Sequence, residues 1–307
     1  MSGSPGWTRL SSAILVAAVV ALAAGCGGGG GGGSTKPDLG GVAFGNGVFV
    51  AVGSDGQSHV SSSGNQDWAA YEVGVPDGLS AVAFGAGRFV AVGPGGTVAT
   101  SADGATWDVQ SPPTAASLDG IGYEGGLFVA VGEGGTILTS ANGTSWTTRA
   151  SGTAVALNAV ARTRDAYWVV GDSGTILRSS DAVTWSPVAS GVEANLNGIA
   201  WHEPTIVVAG DAGTLLASPD GKAWELVSTD LDRNLESAFW SQGTFVVGGD
   251  KGTLITSIDG RRWYLQETQT KQILQSTAWG NGRFVAVGTA SDGLVSLDAV
   301  SWLKVKI

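Results

Sequence analysis

One cysteine, one methionine and two histidines are all that 307 residues provide for redox or soft-metal chemistry. A lone Cys26 excludes a disulfide within the chain. His59 and His202 fall at unrelated places in the repeat described below, so they supply neither a His-based zinc site nor a Ser-His-Asp triad. Both read as solvent-facing bystanders. No metal and no cofactor is expected. Charge is also scarce, at 14% of residues, and 26 acids face 16 bases for a formal charge of −10. An acidic surface repels phosphate backbones, which excludes nucleic acid as a partner. Long apolar runs are missing apart from residues 13–24, and roughly 12 residues are too few to span a bilayer. After Arg9, that run suits the core of a signal peptide.

Glycine, by contrast, is abundant, with 50 residues spread along the chain. This indicates many tight turns between short strands. The apolar run ends in Leu22-Ala23-Ala24-Gly25-Cys26, which resembles a bacterial lipobox. The resemblance implies that residues 1–25 are a lipoprotein signal peptide and that Cys26 becomes the acylated first residue. Gly27 to Gly33 is unbroken glycine, continued by Ser34-Thr35-Lys36-Pro37-Asp38. Residues 26–38 thus read as the acylated cysteine and a flexible tether with a reach of about 20 Å. Membrane contact is expected through the lipid anchor alone, in a bacterial cell envelope, outside the cytoplasm.

The remainder, 39–307, is periodic. Trp68, Trp107, Trp146, Trp185, Trp224, Trp263 and Trp302 follow one another at intervals of 39 residues. Leu79, Leu118, Leu157, Leu196, Leu235 and Leu274 each precede a tryptophan by 28, whereas Leu39 stands one residue further off. Within one repeat, residues 79–84, 89–92, 97–100 and a segment from about 107 read as four strands joined by Gly- and Asp-rich turns. A four-stranded meander cannot cover both its apolar faces alone, so the repeats must stack. The expected fold is all-β: a seven-bladed β-propeller of four-stranded antiparallel blades. The chain begins and ends at blade boundaries, so closure without strand exchange is expected.

The turn before each tryptophan, as in Ser101-Ala102-Asp103-Gly104-Ala105-Thr106-Trp107, resembles the Asp-box of neuraminidase-type (BNR) repeats. Its acidic position is held by Asp103, Asn142, Asp181, Asp220, Asp259 and Asp298, and blade 1 departs from it. The side chains there are expected to bond turn amides, a structural role. The stretch Val170-Gly171-Asp172-Ser173-Gly174-Thr175-Ile176-Leu177-Arg178-Ser179-Ser180-Asp181 resembles the photosystem II assembly (stability) factor family. That resemblance implies seven blades and a non-catalytic scaffold.

A sialidase-like hydrolase would need an arginine cluster and a tyrosine nucleophile with an acid partner. The ten arginines are scattered, only four tyrosines exist, and equal repeat lengths leave no inserted loop to build a pocket. No catalytic residue is assigned. Thirteen residues before the tryptophan, Glu133, Asp172, Asp211 and Asp250 form an acidic arc, with Asp55 and Asp292 nearby. They are the candidate partner-binding face, shared with the variable connections between blades. Phe44, Phe84, Tyr123, Trp201, Trp240 and Trp279, interrupted by Arg162, end the first strands and read as inter-blade core. The expectation is a monomeric envelope lipoprotein that binds a protein or peptide. The alternative is a glycan-binding or glycan-cleaving propeller.

Overall fold

The computed structural model describes residues 36–307. Cys26, the signal segment and the glycine tract lie outside the described residues. Seven four-stranded antiparallel sheets follow one another along the chain, each a meander in sequence order. Blade 1 comprises Leu39–Gly45, Val48–Gly53, Gln57–Ser61 and Ala69–Glu72. Blade 7 comprises Leu274–Gly280, Arg283–Gly288, Asp292–Ser296 and Leu303–Lys306. The propeller is therefore closed without strand exchange: the first and last strands each belong to a sheet of their own neighbours.

Burial explains the composition of each strand. The second strands lie in mid-sheet with a blade on either side, so both faces are covered and apolar residues run on without alternation. Phe89, Val90, Ala91 and Val92 are all fully buried. The outermost strands have one neighbour only, and all four residues of Ala69–Glu72 are exposed. Core clusters form between blades rather than inside them. Val50 and Val52 of blade 1 pack with Phe89, Ala91 and Ala99 of blade 2. Glycine ends every second strand for a related reason. A Cβ on Gly132 would stand 2.0 Å from the Ser117 carbonyl oxygen of the first strand's approach.

The seam between blades 7 and 1 repeats this packing. Leu39, Val42, Phe49 and Ala51 join Ala278, Val285, Val287 and Val295 in one buried cluster. Polar bonds reinforce it. Asn281 Nδ2 donates to the carbonyl oxygens of Gly47 (3.1 Å) and Ser62 (2.7 Å), and Ser291 N donates to Pro37 O (2.7 Å).

One irregularity recurs and positions the candidate site. In six blades the pairing of first and second strands skips one residue, directly after the repeat leucine. In blade 1, Leu39 pairs Gly53 and Gly41 pairs Val52, leaving Gly40 as the extra residue. A bulge of this kind re-aims the extra side chain.

Candidate functional site: the acidic mouth of the central channel

First strands line the channel of the propeller. At its mouth the six bulged residues and the equivalent Ser80 of blade 2 meet: Gly40, Ser80, Asp119, Asn158, Asn197, Glu236 and Gln275 border a cavity of about 560 Å³. One residue comes from each blade, and six of the seven are polar. Five carboxylates (Asp38, Asp77, Asp119, Asp172 and Glu236) line this cavity, and no basic residue does. The pocket thus needs no inserted loop, contrary to expectation, because the blades' own axis forms it.

The acidic arc sits beside this ring. The backbone amides of Glu133, Asp172, Asp211 and Asp250 donate to the carbonyl oxygens of Ser117, Ala156, Asn195 and Asn234, at 2.9–3.0 Å. Each acceptor residue immediately precedes a repeat leucine, so the acidic turns and the inter-blade connections lie side by side on one face. The four acids then divide into two kinds. In blades 4 and 5 they meet amides: Asn158 Nδ2 donates to Asp172 Oδ1 (3.1 Å), and Asn197 Nδ2 donates to Asp211 Oδ1 (2.8 Å). Each amide also reaches the next blade, at Leu196 O (3.0 Å) and Leu235 O (3.1 Å).

In blades 3 and 6 an acid meets an acid. Burial, with repulsion from Glu133 and Asp172, pushes the Asp119 carboxyl up to about 6. Burial likewise raises Glu236, helped by Asp250 and Asp211 and opposed by a bond from Asn234. Both shifts follow from removing charge from water near like charge. Two further polar atoms at the channel, Gln275 Oε1 and the Ser237 hydroxyl oxygen, are covered with no hydrogen-bond partner. Among the four sequence-predicted arc residues only Asp172 lines the cavity; the other three act on it from the turns behind. The ring itself went unnoticed in the sequence. Its signal was a polar residue after the repeat leucine in six of seven repeats.

Asp55 and Asp292 do not join the arc. Asp55 Oδ2 bonds His59 Nε2 at 3.1 Å. Asp292 is buried, accepts from Thr270 Oγ1 (2.9 Å) and pairs with Lys304 (2.5 Å). One of the two histidines departs from expectation. His59 is 7% exposed, covered in the third strand of blade 1. His202 faces solvent as expected and stacks on Trp240, with ring centroids 3.9 Å apart. The aromatic series lies half-buried at the other end of the first strands, each ring against the adjacent second strand: Phe44 on Phe49 (4.8 Å), Trp240 on Phe245 (4.4 Å). No aromatic ring borders the mouth cavity.

The turns before the tryptophans have clear structural work. Asp103 Oδ1 accepts from the amides of Ala105 and Thr106, both at 2.9 Å. Asn142, Asp181, Asp259 and Asp298 take two amides in the same way, and Asp220 accepts from Lys222 N. Trp107 Nε1 donates to Gly104 O (2.8 Å) and across to Ser58 Oγ of blade 1 (3.0 Å). Blade 1, which lacks an acid at that position, uses Asp67 instead. Its carboxylate receives the hydroxyls of Ser61, Ser62 and Ser63 and the amides of Ser62 and Ser63.

No protein-family model matches the chain, and no curated protein matches it significantly. Solved structures do. YCF48 from Cyanidioschyzon merolae superposes with a TM-score of 0.66 at 15% identity, over 84% of this chain and 94% of that one. YCF48 bound to D1 peptide gives 0.69 at 15% identity, over 89% and 93%. The RRP9 WD40 repeats give 0.67 at 11% identity, over 84% and 88%. The chain is a seven-bladed propeller resembling YCF48, a photosystem II assembly factor, at low identity, and at that identity the likeness is one of fold.

Proposed function

We propose that the chain is a non-catalytic, lipid-anchored envelope protein whose channel-mouth face binds a segment of a protein or peptide partner. One observation carries the reading: a ring of seven residues, one per blade and six of them polar, at a cavity on the face that bears the acidic arc and the variable connections. A rigid frame with unlike connections around one mouth is the usual geometry of a propeller recognition face. The solved YCF48 in complex with a D1 peptide supports the same kind of use for this fold. Anchoring rests on the lipobox-like segment ending at Cys26, and it would hold the propeller at a membrane outside the cytoplasm.

Affinity capture from envelope extract tests the binding face. Wild type is expected to retain a partner that the Asp172→Lys/Asp211→Lys variant loses, because both substitutions also strip Asn158 and Asn197 of their acceptors. Equal capture by the two proteins removes this face from the account. Membrane fractionation of Cys26→Ser tests the anchor, and a variant still found in the membrane rejects it.

The glycan reading draws on the same mouth. A carboxyl titrating near 6 suits a general acid, and Asp119 is such a group. Hydrolysis of a glycoside panel by wild type, but not by Asp119→Asn, would establish it. The aromatic rings argue against it, since they stand at the opposite end of the first strands from the mouth.

A further inference from the structure

We infer that the channel mouth is a receptor for a single cationic side chain, a lysine ammonium or an arginine guanidinium projecting from the partner. This deepens the binding-face reading and rests on it. The rim of the cavity is strongly acidic: five carboxylates and no basic residue line it, beside neutral hydroxyl and amide side chains. The bases of the neighbouring turns and connections, Lys36, Arg233, Lys251 and Lys271, stay outside its lining, and Arg233 is bonded to Thr253 Oγ1 at 3.4 Å.

A second and separate observation points to a donor-rich guest. At the mouth the half-buried Gln275 has its Oε1 covered with no partner, and farther along the channel the hydroxyl oxygen of half-buried Ser237 is likewise covered and unpaired. A buried acceptor left unmade destabilises the protein, so the free protein carries acceptors that an entering N–H could satisfy. Ammonium and guanidinium are all donor and no acceptor, which matches a wall of carboxylate and amide oxygens. Asn158 and Asn197 already spend their own donors on Asp172, Asp211 and two carbonyls. Their oxygens therefore remain for the guest. A metal ion fits less well, since among the described residues no three His, Cys, Asp or Glu side chains converge for one.

Binding should weaken in acid. Asp119 is the acid that changes state near neutrality, pushed up to about 6. The charged groups that face it are Glu133 and Asp172, with Asp38, Asp77 and Glu236 around the same cavity. A guest cation is attracted to ionised Asp119 and loses that attraction once the carboxyl is protonated.

The test uses the full chain in detergent and three capped pentapeptides, acetyl-Gly-Gly-X-Gly-Gly-amide, with X lysine, arginine or uncharged norleucine. Titration is followed by the NMR signals of the Gly40 and Gly41 amides and of the Asn158 and Asn197 side chains. A basic peptide is expected to bind at least ten-fold tighter than the norleucine peptide at pH 7.5. Asp119→Asn/Glu236→Gln should lower that affinity at least ten-fold, Asp119→Glu should retain it, and a move to pH 5 should reduce it for wild type. Equal binding of the norleucine peptide, no response to any peptide, or full affinity in the double variant overturns the inference. These results are separate from partner capture. A partner held through Asp172 and Asp211 but indifferent to Asp119→Asn/Glu236→Gln leaves the binding face standing and removes only the cation receptor.

Discussion

Asp119 and the turn aspartates respond to acid in opposite directions, because one is buried, with like charge beside it, and the others are surrounded by donors. The folded-state pKa of Asp119 is raised, so the folded form binds its proton more tightly than the unfolded chain does. Its penalty is fully present at neutral pH and fades as pH falls from about 6 towards 4. Asp119→Asn should therefore stabilise the protein at pH 7.5 by about 1 kcal/mol, after discounting for partial exposure. At pH 4 the gain should vanish. Urea denaturation of both proteins at the two pH values checks this. For Asp103, Asp181, Asp220, Asp259 and Asp298 the folded pKa is lowered, mainly by turn amides. Their contribution is present above the unfolded value and lost as pH falls through the folded ones, so acid unfolding is expected below about pH 4. Asp67 belongs with them, held well below the usual range by the three serine hydroxyls and the Ser63 amide, against the opposing effect of burial. Asp67→Ala should cost about 1 kcal/mol in the same assay, from lost turn bonds. Little change would mean that the blade 1 turn is held by its serines alone.

At the scale of the element, the turn before the tryptophan docks on the blade before it, and its glycine decides how closely. Gly221 has φ +70°, and a Cβ there would stand 2.1 Å from the Trp168 ring of blade 4. Gly221→Ala should cost about 3 kcal/mol, from left-handed strain and overpacking together. Ala182 and Ala299 occupy the equivalent position with φ of 58° and 61°, buried without such a clash. Ala299→Gly should accordingly change stability by less than about 1 kcal/mol. A thermal-melt comparison of the two variants distinguishes them, and equal losses would show that the turn geometry rather than the docked ring is responsible. Elements of this kind were largely legible in the sequence. The strands expected at 79–84, 89–92 and 97–100 are found at 81–85, 88–93 and 97–101, and the fourth begins at Asp108. The bulge was not legible. It arises where the inner strand bends at the mouth, and no residue type is special to it: Gly, Asp, Asn, Glu and Gln all occupy the extra place.

For the whole molecule the seam between blades 7 and 1 is the one junction between neighbouring blades that no chain connection crosses; like the others it is held by side-chain packing and polar bonds rather than by a shared sheet. Ala278 is buried among residues of blades 1 and 7. An unpaired carboxylate placed there by Ala278→Asp should cost 3 kcal/mol or about that. Amide exchange should speed up in blades 1 and 7 before the others, and uniform loss of protection would show that the ring opens everywhere at once.

The sequence by itself determined the architecture. Each repeat is long enough for four strands and too apolar to stand alone, and a tryptophan every 39 residues keeps seven such units in register. Those are local and periodic properties, readable without knowing what lies opposite. It also marked Glu133, Asp172, Asp211 and Asp250 as one set, because equivalent positions in a repeat fall on one face. What only the tertiary structure decided is which charges share a space. Closing the ring brings Asp119 of blade 3 and Glu236 of blade 6 to a single mouth. It also leaves Asp172 and Asp211 satisfied by asparagines and buries a histidine expected in solvent. Electrostatic effects fall off with distance and depend on burial, and neither is fixed until the seven blades surround one axis.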